Sequence, residues 1–149
     1  MKKWLVIFSA SVVLFLGGCS FLNDAKDTLT YVNDATDYLA VATDFANQAP
    51  ALAQQAISDV QAAEDLESIL QEMQQKLEGF NDLQAPEVVA DLHQQIVEKN
   101  NIIADGIETY LNNIKDGLLD ATILENTELF QSAQEITSII DQIQQLGGE

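Results

Sequence analysis

From Asn23 to Leu146, apolar side chains recur three or four positions apart with few interruptions, the spacing that lines one face of an α-helix. In the first stretch, Asn23 to Asn47, that face is Ala25, Thr28, Val32, Ala35, Leu39, Ala42 and Ala46. At about 100° per residue, Asp27, Asp34, Asp37 and Asp44 fall on the opposite arc. A local heptad echo, ATDYLAV followed by ATDF, sets Tyr31, Tyr38 and Phe45 in a lane along one edge of the apolar face. Such a lane packs against a neighbouring helix more readily than it binds a ligand, because three rings bury a large apolar area.

Breakers divide the pattern. Asn47 can end the first helix, and Pro50 suits the first turn of a second, where a missing N–H costs nothing. The second stretch runs through Leu52, Ala56, Val60, Ala63, Leu66, Leu70, Met73, Leu77 and Phe80; within it Ser58 and Gln61 form a capping-box pattern at which the helix can break or restart. Gly79 offers a left-handed cap, and Pro86 opens a third helix carrying Val89, Leu92, Ile96, Ile103, Ile107, Tyr110 and Ile114 inward, closed by Lys115 and Gly117. Thr122 with Glu125 is a second capping box, followed by a cap at Asn126 or Thr127 and a fourth helix with Phe130, Ala133, Ile136, Ile140 and Ile143 inward. Four amphipathic helices, short links and no strand signal predict an all-α fold: an antiparallel up-down-up-down bundle of about four helices over residues 23–147.

The first residues follow a different pattern. Lys2 and Lys3 precede an uncharged, largely apolar run from Trp4 to Leu16, then Gly17, Gly18 and the single cysteine, Cys19. As a helix that run rises about 20 Å, too short for a hydrocarbon core of about 30 Å, so residues 1–18 read as a cleaved signal peptide. Leu16, Gly17, Gly18 and Cys19 together resemble the lipobox of bacterial lipoproteins. That resemblance implies a diacylglyceryl thioether on Cys19, cleavage between Gly18 and Cys19, acylation such as palmitoylation at the new amino terminus, and a short tether over residues 19–22. Two acyl chains anchor a protein stably at about 0.8 kcal/mol per buried methylene. With one cysteine, no disulfide can form within the chain.

Cleavage also changes the charge. Two of the six lysines leave with the signal, and four lysines against twenty-four acids give the mature chain a net charge of −20. Arginine is absent, which removes the side chain best suited to grip phosphate or carboxylate in two places. Nucleic acid and anionic headgroups are therefore poor partners.

The remaining chemistry is sparse. His93, the single histidine, lies on the flank of the third helix with Asn100 one heptad on. A metal or catalytic role would need converging His or Cys ligands, so His93 reads as a polar residue at the rim of the core, with no catalytic residue, metal ligand or cofactor assigned. Asp34, Asp37 and Asp44 share an arc, yet calcium wants six to eight oxygens from a loop, and no DxDxDG-type loop is present.

With YVNDATDYLA, HQQIVEKN and QEITSII following the lipobox, the whole chain resembles small, functionally uncharacterised lipoproteins of Bacillus-type bacteria. The resemblance implies a lipid-anchored protein on the extracytoplasmic side of the plasma membrane and carries over no catalytic or ligand residue. The expected function is a non-enzymatic helical interaction or structural module of the envelope with a protein partner. The alternative is a lipoprotein that binds a small ligand or a cation such as calcium. In an up-down-up-down bundle, Asn47 to Pro50 and Gly117 to Asn126 would face away from the bilayer.

Overall fold

The computed structural model describes residues 18–125 and 127–147, with side chains described over 28–125 and 127–145. Leu16 and Gly17 of the lipobox lie outside the described residues, and Gly18 and Cys19 enter only as the first backbone positions of a helix.

Four helices form the body: α1 (Gly18–Gln55), α2 (Val60–Asn81), α3 (Ala90–Asn112) and α4 (Glu128–Gly147). Helix α1 packs on α2 and α4, and α3 packs on the same two, so α1 and α3 face each other diagonally across the core. This is the predicted up-down-up-down bundle, and its cause is a seam on every helix. The buried residues of α1 include Tyr31, Ala35, Tyr38, Ala42, Phe45, Ala46, Ala49 and Ala53, with Ala56 just past its end; those of α2 include Ala63, Leu66, Leu70, Met73, Leu77 and Phe80. In α3 the buried seam runs through Ile96, Asn100, Ile103, Ile107 and Tyr110, and in α4 through Leu129, Ala133, Ile136, Ile140 and Ile143. Alternating steps of three and four average 3.5 residues, the repeat that keeps a seam facing its neighbours when helices pack at a shallow angle.

The seam also explains where the helices differ from expectation. The Tyr31, Tyr38 and Phe45 lane is the centre of the buried face of α1, not its edge, while Val32 and Leu39 are half-buried. Helix α1 does not stop at Asn47; it runs through Pro50 to Gln55. Proline in a helix interior costs about 3 kcal/mol, but Ala53 and Ala56 extend the buried seam past it. The turn comes later, where the amides of Ser58 and Asp59 both donate to the Gln55 carbonyl at 3.0 Å. Asp59 rather than Ser58 caps α2, its carboxylate accepting from the amides of Gln61 (2.9 Å) and Ala62 (3.4 Å). Val60, expected inward, is 50% exposed at this first turn. Gly79 is no terminus either: α2 continues until Phe80 is buried, and Asp82 closes it.

Pro86 precedes a single 3-10 turn, Glu87–Val89, before α3 begins. Beyond α3 the sequence pattern missed a small sheet. Strands β1 (Ile114–Lys115) and β2 (Leu118–Leu119) pair antiparallel around Asp116 and Gly117, whose φ values of 54° and 79° form the mirror-image turn that suits a two-residue hairpin. The following 3-10 segment, Ala121–Glu125, is capped by Asp120, which accepts from the Thr122 amide (3.0 Å) and hydroxyl (2.8 Å); Thr122 is thus the capped residue rather than the cap.

The hairpin and the α1–α2 turn meet at one end of the bundle. The Leu119 amide donates to the Ala56 carbonyl at 2.9 Å. The α2–α3 connection and the last turns of α4 lie at the other end, where Gln144 Nε2 donates to Thr36 Oγ1 of α1 at 3.1 Å.

Candidate functional site

Two pairs of side chains with acid–base or hydrogen-bonding capacity form a ladder between the diagonal helices, apart from buried Tyr110, whose hydroxyl donates to the Ile123 carbonyl at 3.4 Å, and buried Ser132. The Tyr38 hydroxyl donates to Asn100 Oδ1 at 2.5 Å, and Asn100 Nδ2 donates to Asn81 Oδ1 on α2 at 2.7 Å. One heptad earlier on both helices, the Tyr31 hydroxyl lies 2.9 Å from His93 Nδ1. Both rungs join residues separated by 62 positions, the constant offset expected of two parallel helices in fixed register. Phe80 fills the space between the rungs, stacked on Tyr38 (centroids 4.7 Å apart) and on His93 (5.1 Å).

Burial sets the protonation of this ladder. It lifts the hydroxyls of Tyr31 and Tyr38 well above the ordinary phenol range, with the Tyr38 rise opposed by its bond to Asn100, so both remain donors. Burial also lowers His93 below the usual imidazole value, which favours the neutral ring. We assign its proton to Nε2, leaving Nδ1 to accept from Tyr31. Asn100 is fully buried with both ends of its amide engaged. A buried polar group that is fully satisfied specifies alignment, because a shift of one helix would orphan it. The ladder is thus suited to fixing register, and its groups bond to one another rather than converging on an open site.

Other residues singled out from the pattern lie apart from it. Asp34, Asp37 and Asp44 are exposed on α1. Among the described residues no three His, Cys, Asp or Glu side chains are grouped to hold a metal ion. Lys99 of α3 pairs with Glu135 of α4 at the surface, where such pairs contribute at most about 1 kcal/mol.

The surface of the described residues has concavities at both a helix end and a helix–helix seam. An open, mainly apolar cleft of about 420 Å³ at the hairpin end is lined by Pro50, Gln54 and Ile57 of α1 and its turn, and by Leu124, Thr127 and Phe130 beside them. A smaller groove of about 170 Å³ between α1 and α2 is lined by Val41, Asp44, Phe45, Gln48, Ile69 and Glu72. The sequence pattern missed the cleft because its two walls are some seventy positions apart and meet only through the crossover after the hairpin.

A family of unknown function, DUF6376, matches residues 31–146, beginning at the first rung of the ladder. The chain is also similar to the uncharacterized lipoprotein YybP of Bacillus subtilis (strain 168), with 34% identity over 147 residues covering 99% of each chain. The likeness to small Bacillus-type lipoproteins therefore extends from the N-terminal segment through the bundle. No solved structure matches. A helical bundle whose match spans all four seams thus belongs to DUF6376, a family of unknown function.

Proposed function

We propose that this chain is a lipoprotein held by a lipid on Cys19 at the extracytoplasmic face of the plasma membrane, where its bundle acts as a non-enzymatic interaction or structural module. The anchor reading rests on the Leu16-Gly17-Gly18-Cys19 motif and on similarity to a lipoprotein across 99% of both chains. No helix of the described residues is long and apolar enough to cross a membrane.

The observation that carries the module reading is the direction of the reactive side chains. His93 and the tyrosines of α1 bond inward to partners, and the exposed arc of α1 carries carboxylates. What the body offers to its surroundings is therefore shape and negative charge. Capture of the lipidated protein from membranes after crosslinking, beside a Cys19→Ala form, tests the proposal. A protein partner recovered reproducibly with the lipidated form and lost with Cys19→Ala supports it. Recovery of no partner by either form would overturn the module reading in favour of a small-ligand lipoprotein.

A further inference from the structure

We infer, resting on that module reading, that the cleft at the hairpin end is the docking point for an apolar side chain presented by a cationic partner segment. The cleft is lined by Pro50, Ile57, Leu124 and Phe130, with Gln54 and Thr127 as its polar groups. Ile57 and Leu124 are half-buried on the α1–α2 turn and the 3-10 crossover, so the apolar lining is accessible from solvent. Two polar side chains give far too few oxygens for a bare cation, which needs six to eight, so the lining favours a carbon surface as occupant.

Charge identifies what carries that surface. The segments that build the cleft come from two long stretches, residues 27–75 and 116–149, that contain no lysine or arginine. Asp59, Asp120, Glu125 and Glu128 are all exposed on the turn, crossover and helix start around it. The lysine of the hairpin, Lys115, acts on Asp120, whose carboxyl is held below its ordinary value first by the Thr122 amide and hydroxyl and then by that ammonium. The surroundings of the cleft are therefore negative, and a cationic segment is drawn to them over a Debye length of about 8 Å at physiological salt. A second copy of the chain would bring the same charge against itself. An anionic lipid surface is repelled too, and with the tether at the opposite end the cleft stands off by the length of α2, 22 residues or about 33 Å.

The test uses the full lipidated protein in phosphatidylcholine nanodiscs and a fluorescent amphipathic peptide of lysine, leucine and tryptophan, with a control in which serine replaces the apolar residues at equal charge. Expected is binding of the apolar peptide that weakens with salt and falls about tenfold in Leu124→Gln. It should fall several-fold, with a flatter salt dependence, in Glu125→Gln/Glu128→Gln, and stay unchanged in Val88→Gln at the other end. Both glutamates are exposed, so this pair keeps the test decisive if Leu124→Gln folds poorly. Equal binding of the serine control, equal binding by all variants, no binding, or self-association abolished by the same substitutions would each overturn the inference. Crosslinked capture separates it from the module reading: a partner retained by the glutamine pair leaves the module and removes the cleft, whereas no partner with any form removes the module.

Discussion

Replacing Tyr38 by Phe deletes one oxygen from the centre of the bundle and leaves the ring in place against Phe80. The stacking at 4.7 Å is preserved, and no cavity larger than a hydroxyl is made. What changes is Asn100, whose Oδ1 is fully buried and loses its donor, while Nδ2 keeps Asn81. Orphaning a buried acceptor costs about 1–3 kcal/mol, more than the net gain of an ordinary hydrogen bond. For a bundle of this size that corresponds to a fall in Tm of roughly 3–10 °C. Asn100→Leu strands the Tyr38 hydroxyl in the same way, but Asn81 is half-exposed and can turn to water. The double variant removes both members of the pair, so its loss should be smaller than the sum of the single losses by about 0.5–3 kcal/mol. Urea unfolding of the four proteins, followed by far-UV circular dichroism, measures the cycle. A Tyr38→Phe protein as stable as the parent, or strictly additive losses, would refute the claim that the ladder is a coupled buried network.

Other outcomes follow from the same packing. His93 is lowered by burial, so below about pH 6.5 the unfolded chain binds more protons than the folded one and stability falls with pH until the folded value is passed. His93→Gln should remove that component, seen as a difference between the two proteins in denaturant midpoints from pH 7.5 to 5.5; identical profiles would count against a neutral, half-buried ring. A Cβ added at Gly106 would lie 2.8 Å from Leu129 Cβ, so Gly106→Ala should destabilise by about 1 kcal/mol net, overpacking outweighing the gain in helix propensity; calorimetry would expose the error if Tm rose. Pro50→Ala restores an amide inside α1 and should stabilise by about 1–2 kcal/mol, which an unchanged unfolding midpoint would contradict.

The four-helix architecture was legible because each seam repeats at helical spacing over at least five positions. The ladder was visible only as a gap. The apolar list of the third helix jumps from Ile96 to Ile103, and Asn100, which fills that vacant seam position, is polar and so drops out of a hydrophobicity pattern. Its partner Tyr38 stands at the edge of the apolar face in the sequence, since alanine and threonine obscure which arc of α1 is deepest. Helix ends were harder to read because local punctuation competed with burial. Pro50 and Gly79 carry strong local signals, yet the seam continues through both. The hairpin had a local signature in Asp116-Gly117, but two-residue strands leave no alternating pattern to detect. The cleft had none, since its walls come together only in three dimensions.

Membrane attachment depends on where the mature chain begins and what is attached there. Intact mass spectrometry of the protein extracted from membranes, with the amino-terminal fragment sequenced, tests this directly. The expected chain starts at Cys19, bears a diacylglyceryl group on its sulfur and has no thiol open to alkylation. A chain that starts elsewhere, or a Cys19 thiol that alkylates freely, would contradict it.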